Sequence, residues 1–445
     1  MNYNYFVDIS NVFFLLFLIG TTLSTIIDST LEWMNSNKGN IGSKLKELYK
    51  IHPLMKKYFS RSKINKAQEY HSETNTFSDF HEVIGGNIGN ILLLCGIFPF
   101  LLHSIINLLP SYSTTIHYII FCTLITLGKT LFQIPFALYG TFHLEEKYGF
   151  NKTTMKTFIG DNIKGFLISV VFSIVGISIV NYVLTKFGPF SSYKICAFVG
   201  GLILVGMFME FLYMTVLIRI FNKLTPLKNK NLAKRIKKLM ESYGYNANTV
   251  YVMDASKRTN KANACIGGIG KSKKIILFDT LLKNYTNDEL IAILGHELAH
   301  GKLHHLVYGR MISTAISLIT TFIIFSMAYN VNLYHAFGFN FVNETNVIQY
   351  SLIGFILAKI VIDSIKWIIS PLVSWYSRTC EYAADRYSVY YTKKKMPMIT
   401  SLMKLTSENL GDVFPNKYYE MWNYSHPSII NRINAIKNVD LKKKD

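Results

Sequence analysis

The stretch TNDELIAILGHELAHGKLHH, residues 286–305, determines how the rest of the chain is interpreted. Its opening threonine, followed three residues later by a glutamate, predicts a capped helix. On that helix His296 and His300 are four residues apart, so their imidazoles project side by side and can bind one zinc ion. Glu297 can then take a proton from a zinc-activated water molecule. The stretch predicts a zinc hydrolase, although two incidental histidines on a surface helix would give the same pentapeptide.

The composition indicates a membrane protein. Of the 445 residues, 50% are hydrophobic and 14% are aromatic. A helix that crosses the hydrocarbon core needs about 20 apolar residues, and seven stretches meet this requirement. These stretches are 9–27, two within 83–128 that Pro110 divides, 165–185, 195–218, 311–330 and 348–376. We therefore expect a mainly α membrane protein with seven transmembrane helices.

The net charge of +20 is explained by the loops on one side of the membrane. Between residues 38 and 66, nine lysines and arginines face a single acid, Glu47. The loop at 110–114 is uncharged, and the loop at 331–347 contains only Glu344. This alternation satisfies the positive-inside rule if the N-terminus is lumenal and the C-terminus cytosolic. No nucleic-acid partner is needed to account for the charge.

Five ionisable residues fall inside the expected spans. They are Lys129, Glu210, Lys359, Asp363 and Lys366. Charges at such depths usually face a bundle interior or a water-filled cavity, although the lysines could instead extend to the membrane surface. Together they favour a wet space within the membrane.

The largest soluble insertion is predicted to carry a small β-sheet beside the zinc helix. A basic amphipathic helix over 229–245 could lie near anionic lipid headgroups or pack on a soluble core. Residues 249–253 and 273–279 have strand composition and flank a turn-rich segment. An extended peptide substrate could add to an exposed edge of such a sheet.

Beyond the last span, Glu381 and Asp385 are four residues apart on a predicted helix. Two histidines leave a catalytic zinc ion one protein ligand short, so Glu381 is the candidate third ligand and Asp385 a candidate partner of a ligating histidine. The alternative is a solvated ion-pair cluster with Arg378 and Arg386.

His426 precedes a proline at a predicted helix start, and Arg432 follows within two turns. From the sequence alone, both residues could serve either structure or chemistry.

Seven motifs resemble those of one family, from about the second span to about residue 438. They are LEEKYGFN (144–151), LTPL (224–227), VYVMDASKRTNKANA (250–264), KKIILFDTLL (273–282), HELAHGKLHH (296–305), EYAAD (381–385) and YSHPSIINR (424–432). Together they resemble the type I CAAX prenyl endopeptidases, which are integral-membrane zinc metalloproteases.

The resemblance implies seven helices around an intramembrane chamber and a zincin-like cytosolic domain with one Zn²⁺ per chain. By position, the metal ligands would be His296, His300 and Glu381, with Glu297 as general base.

The same resemblance makes Asp385 a support of the metal site and Asn263 a hydrogen-bonding partner of the substrate backbone. His426 and Arg432 would contact the substrate or stabilise the oxyanion.

The expected division of the chain follows the spans. Residues 1–218 would hold helices one to five, 219–305 the cytosolic protease segment with its HELAH helix, 306–376 helices six and seven, and 377–445 the cytosolic segment that completes the zinc site.

The activity implied is removal of the C-terminal aaX tripeptide from prenylated CAAX proteins at the endoplasmic reticulum membrane or the inner nuclear membrane. The chain's end, KKKD at 442–445, fits a dilysine retrieval signal. The expected partners are prenylated C-terminal peptides and the lipid bilayer, and we expect a monomer. Two alternatives remain: a quality-control metalloprotease for misfolded or translocon-stalled chains, and a non-catalytic membrane scaffold or solute carrier.

Overall fold

Helices account for most of the chain. A computed structural model describes residues 5, 7–36, 41–188, 191–267 and 272–441, so the KKKD tail lies outside the described residues. The described α-helices are α1 (Val12–Ser36), α2 (Ile41–Ile51), α3 (Met55–Tyr58), α4 (Arg61–Leu94), α5 (Ile97–Leu108), α6 (Thr114–Tyr139), α7 (Met155–Phe187), α8 (Ser192–Leu212), α9 (Ile218–Phe221), α10 (Lys230–Ser242), α11 (Asp279–Asn284), α12 (Asn287–Lys302), α13 (His305–Ala328), α14 (Val331–Ala336), α15 (Ser351–Asp363), α16 (Ser370–Thr392), α17 (Lys395–Glu408), α18 (Lys417–Asn423) and α19 (Ile429–Lys437).

In the described part of the chain, five helices are long and apolar enough to cross a membrane. They are α1, α6 with the π-helical turn that extends it to Glu145, α7, α8 and α13. In each of these helices, no more than 28% of the most apolar 18-residue stretch is buried within the chain. The bent pair α4 and α5, which meet at 57°, adds a sixth span if the two helices are counted as one. Gly96 at this bend has φ +67°, and a Cβ there would lie 2.2 Å from the carbonyl oxygen of Tyr5. The bend therefore requires glycine.

The seventh predicted span is a broken segment. Helix α15 has 13 residues, or about 20 Å, which is shorter than the hydrocarbon core of about 30 Å. A 3₁₀ turn at Lys366–Ile368 follows, and α16 then begins with Pro371 in its first turn. The predicted number of spans is approximately confirmed, but 348–376 is not one continuous helix.

Most of the charges predicted within the spans are paired. Glu210 of α8 accepts a hydrogen bond from Arg310 of α13 at 2.7 Å. Asp363 forms ion pairs with both Lys359 and Lys366. Such pairing lowers the cost of placing charge at membrane depth.

A cavity with several acidic wall residues includes Asp363 in its lining. It has a volume of about 460 Å³ and lies between α1, α4 and α15. Asp28, Asp79, Glu82 and Asp363 are among its lining residues. A cavity with such walls fits the expected wet space.

The amphipathic helix α10 packs on a soluble core. Its apolar residues Leu232, Ile236, Leu239 and Met240 are all buried, in a cluster that also contains Leu294 of α12. The headgroup interpretation of this helix is therefore wrong, because its apolar face is already covered by protein.

A four-stranded sheet lies beside α12, with the order β1-β2-β4-β3. The strands are β1 (Leu224–Pro226), β2 (Asn246–Met253), β3 (Ala264–Gly267) and β4 (Ser272–Phe278). Strands β2 and β4 pair in parallel and confirm the two predicted strands, whereas β1 and β3 each pair antiparallel and were not predicted. Strand β3 forms the edge next to α12.

The segment before β3 is tied to the loop between α6 and α7. The Nε of Arg258 donates to Asp161 at 2.8 Å, at the start of α7. The Nζ of Lys261 lies 3.0 Å from a carboxylate oxygen of Glu145, just before that loop. We call residues 258–261 the joint, because they connect the membrane helices to the edge strand.

Helices α13 and α15 approach closely at Gly354. A methyl group there would lie 2.1 Å from the carbonyl oxygen of Ala328 and 2.2 Å from the hydroxyl of Tyr334. We expect Gly354→Ala to lower the free energy of unfolding by about 1–3 kcal/mol, because these packed atoms must shift. The measurement is thermal unfolding of the purified protein in detergent. The control is Gly176→Ala in α7, where nothing lies within 4 Å of the added methyl group; equal melting temperatures for the two variants would contradict this packing.

Candidate metal centre

Helix α12 is fixed at its start and along one face. The hydroxyl of Thr286 accepts a hydrogen bond from the backbone N–H of Glu289, whose carboxylate accepts one from the N–H of Thr286, so the predicted capping box is present. One face of α12 packs against α16. At this contact the Ser388 hydroxyl donates to the carbonyl of Ala292 at 2.6 Å, and a Cβ on Gly295 would lie 2.9 Å from that hydroxyl. Small residues thus allow the two helices to approach closely.

This contact brings the three predicted ligands together. One ligand atom from each of His296, His300 and Glu381 lies within 4.8 Å of the other two. The Nε2 atoms of the histidines are 3.2 Å apart. Glu381 places one carboxylate oxygen 3.4 Å from His296 Nε2 and the other 3.3 Å from His300 Nε2. Two imidazoles and a carboxylate therefore converge on one point.

The donor set fits a metal ion. Glu381 is 5% exposed, and its Oε2 atom makes no hydrogen bond with the part of the chain that the structure describes. A buried carboxylate oxygen without a donor is costly unless a cation completes it. Burial would raise the pKa of Glu381, but its close contacts with His296 and His300 and the charge of Arg432 hold this pKa well below its usual range. The carboxylate is therefore ionised, as ligation requires.

Asp385 supports His296 from behind. Its Oδ1 atom lies 2.9 Å from Nδ1 of His296, and the side chain is fully buried. Burial alone would lower the pKa of His296, but contacts with Asp385 and Glu381 raise it to about 9. A carboxylate in this position orients a metal-binding imidazole and makes its other ring nitrogen a stronger metal ligand.

Arg432 in turn holds Asp385. Its Nε and one terminal nitrogen donate to the two carboxylate oxygens at 2.8 Å and 2.7 Å, and that same nitrogen lies 3.4 Å from Glu381. Arg378, considered for this cluster from the sequence, instead donates to backbone carbonyls at the end of α18. The acidic pair is therefore buried against the two histidines and Arg432 and does not form a solvated surface cluster.

His426 lies on the solvent-exposed side of the group formed by His296, His300 and Glu381. Its Nε2 atom is 3.4 Å from Glu381, its Nδ1 is 2.9 Å from the hydroxyl of Ser425, and 64% of its side chain is exposed. Of the two residues in the SHP…R element, His426 can therefore reach a bound molecule, whereas Arg432 is mostly engaged with Asp385.

Glu297 lies on α12, the helix against which the edge strand β3 packs. Burial and then the negative charge of Glu297 raise the pKa of the Cys265 thiol in β3 to about 11. Asn263 immediately precedes β3 and is exposed. Its side-chain oxygen accepts from the N–H of Ala264. The carboxylate thus lies near the edge to which an extended peptide could add.

His305 was missed in the sequence interpretation. Its Nδ1 atom lies 3.1 Å from Nδ1 of His300. The only sequence signal is that this histidine closes the HELAHGKLHH stretch, five residues after His300 and beyond the helix turn that positions the metal ligands.

Two histidines on a capped helix, a glutamate that meets them from a second helix, a further carboxylate beside them and several membrane spans define a membrane metalloprotease. Comparisons with known proteins agree. Residues 226–440 match the model of peptidase family M48, and 44–223 match the CAAX prenyl protease N-terminal model of five membrane helices. The chain therefore belongs to peptidase family M48, with the N-terminal membrane domain of CAAX prenyl proteases.

The relatives cover most of the chain. "Probable CAAX prenyl protease 1" of Schizosaccharomyces pombe is 37% identical over 75% of this chain and 68% of the relative. "CAAX prenyl protease 1 homolog" of Arabidopsis thaliana is 31% identical over 86% of this chain and 89% of the relative. A crystal structure of S. mikatae Ste24p, 26% identical, superposes with a TM-score of 0.81 and covers 96% of this chain and 99% of that one. The family resemblance predicted from the motifs is confirmed.

Removal of Arg432 should destabilise the centre. We expect Arg432→Met to lower the free energy of unfolding by about 3–5 kcal/mol, because Asp385 would be left buried without its cation. The measurement is thermal or denaturant unfolding in detergent. Arg386→Met is the matched control, since Arg386 is exposed and directly follows Asp385. If both variants unfold alike, the buried pair does not hold this site together.

Proposed function

We propose that this chain is a zinc-dependent endopeptidase that removes the aaX tripeptide from the C-terminus of prenylated CAAX proteins. The observation that carries the proposal is the convergence of His296, His300 and Glu381 on a helix pair next to an edge strand, in a chain with several membrane spans. The names of the relatives support the substrate class.

Zinc is the metal that best suits the donors. Two imidazole nitrogens and one carboxylate are a set typical of catalytic zinc sites, which leave a fourth position open. When bound there, zinc supplies a Lewis acid that polarises the scissile carbonyl and acidifies a water molecule. His296, His300 and Glu381 would hold it, and Asp385 would orient His296.

Glu297 is the proposed general base. It is half-buried between the metal ligands and β3, where a peptide carbonyl would lie. Its carboxylate takes a proton from the water that attacks the carbonyl carbon. It then delivers a proton to the amine nitrogen as the C–N bond breaks. One carboxylate can carry out both proton transfers if it lies within reach of the water oxygen and of the amine nitrogen.

The substrate would bind as an added strand. Strand β3 pairs with β4 on one side and lies at the sheet edge on the other. Asn263 would hydrogen-bond the peptide backbone at the start of this edge. His426 would donate to the oxygen that becomes negative as water attacks, because its ring is exposed and faces the metal centre. Arg432 would assist mainly by holding Asp385, with its charge close to the same site.

The prenyl group would remain in the membrane domain. The low burial of the spans and the polar cavity between α1, α4 and α15 fit helices around an open interior, with lipid outside. The proposed domain division is that given from the sequence: residues 1–218 hold transmembrane helices one to five with their cytosolic loops, 306–376 hold helices six and seven, and 219–305 and 377–445 are cytosolic.

The remaining assignments concern the cellular setting. The charge distribution supports a lumenal N-terminus and a cytosolic C-terminus. Asn343, in an N-x-T sequence of the expected lumenal loop, is exposed. Together with the substrate class, this favours the endoplasmic reticulum or inner nuclear membrane and a monomeric enzyme.

The role of Glu297 can be tested directly. We expect Glu297→Gln to lower the rate of cleavage of a farnesylated CAAX peptide by at least about 10²–10⁴-fold, because the amide cannot accept the proton. Zinc content, measured by elemental analysis, should stay at the wild-type level because the metal ligands are unchanged. Glu241→Gln, an exposed glutamate of the same soluble domain, should leave the rate unchanged. Wild-type activity in Glu297→Gln would contradict the proposed role of Glu297 as general base.

The substrate class needs a separate test. One peptide ending in CAAX, with and without its farnesyl group, should differ strongly in kcat/KM in favour of the lipidated form, because only that form uses both the membrane domain and the strand edge. The measurement is release of the tripeptide by purified protein in detergent, with a chelator as the negative control. Equal turnover of the two peptides would favour the quality-control alternative.

A further inference from the structure

We propose that His305 is a positioning residue for the metal centre, which fixes the tautomer and orientation of the ligand His300. The Nδ1 atoms of the two rings are 3.1 Å apart, their centroids are 5.1 Å apart, and the rings meet at 71°. This geometry fits one ring donating in its plane to the nitrogen lone pair of the other. The inference rests on the proposed function, because it assumes that the centre binds zinc.

The position of the proton follows from the other atom of His300. Its Nε2 atom faces His296 Nε2 at 3.2 Å and Glu381 at 3.3 Å, so Nε2 is the atom that points to the metal position. A ligating nitrogen carries no proton, so the proton of neutral His300 is on Nδ1. The Nδ1 atom of His305 must then accept, and His305 carries its own proton on Nε2. The two rings are thereby fixed in complementary tautomers.

The two ligand histidines therefore have different supports. His296 is supported by the carboxylate of Asp385, which Arg432 neutralises within the protein. His300 is supported by a neutral imidazole on the more exposed side of the centre. A neutral acceptor orients the ring without adding another negative charge to a site that already contains Glu297, Glu381 and Asp385.

The turn between α12 and α13 places His305 where this contact can form. Helix α12 ends at Lys302, and His304 adopts the left-handed conformation with φ +57° before α13 begins at His305. The carbonyl of His305 accepts a hydrogen bond from the hydroxyl of Tyr376 at 3.3 Å, in the first half of α16. The backbone of His305 is thus held from a second helix, and its ring lies against His300.

The test measures zinc binding by the full-length protein in detergent, by competition with a chelator of known affinity and without any peptide. His305→Leu removes the acceptor and keeps the bulk of a side chain, whereas His305→Asn places an amide oxygen close to the position of Nδ1. The control is His304→Asn, which changes the neighbouring exposed histidine and suits the left-handed backbone, since asparagine tolerates that conformation. Melting temperatures of the metal-free proteins check that each variant folds.

We expect His305→Leu to weaken zinc binding by about 10–100-fold, as is typical when the partner of a ligating histidine is removed. His305→Asn should retain most of the wild-type affinity, and His304→Asn should retain all of it. Wild-type affinity in His305→Leu, or an equal loss in the Leu and Asn variants, would overturn the positioning role. A wild-type protein that binds no zinc would overturn the proposed function together with this inference, whereas indifference to the prenyl group would overturn the substrate assignment alone.

Discussion

The contact between α12 and α16 is the interaction on which the centre depends. The two helices are separated in the chain by the sixth span and the broken seventh segment, yet they place Glu381 against His296 and His300. The contact is close because Gly295 and Ala384 leave room and Ser388 bonds to the backbone of α12. A bulkier residue at position 295 or 384 would push the two helices apart and so move Glu381 away from the histidines, although it touches none of the three side chains.

The buried charges near this contact form a balanced set. Glu381 and Asp385 bring two negative charges into a site where water is largely excluded. Arg432 neutralises the more deeply buried carboxylate with two hydrogen bonds. The Oε2 atom of Glu381 makes no hydrogen bond within the described residues, and it lies 3.4 Å from both His296 Nε2 and the terminal nitrogen of Arg432. The same balance explains why the arginine of the SHP…R element acts mainly through the structure of the centre and the histidine remains open to a ligand.

Features that depend on short-range sequence patterns could be predicted, and features that depend on tertiary contacts could not. The capping box, strands β2 and β4, and the HELAH ligands depend on short-range spacing that a single sequence carries. Strand β1 has three residues, one of them proline, and β3 includes alanine and glycine, so neither has strong strand composition. The amphipathic pattern of α10 is equally suited to a lipid surface and to a protein core, and only the packing of Leu232 and its neighbours decides between them. The contact of His305 depends on the left-handed backbone conformation of His304. This conformation is uncommon for residues other than glycine, and no local sequence pattern predicts it here.

The joint at 258–261 has a consequence for which bond is cut. Lys261 and Arg258 join the segment before the edge strand to Glu145, just after α6, and to Asp161 in α7. For the proposed substrate, anchored in the bilayer by its lipid and aligned along β3, these ion pairs would set the distance between the anchor and the strand edge. That distance, more than the side chains beyond the lipidated residue, would then select the peptide bond that is cut.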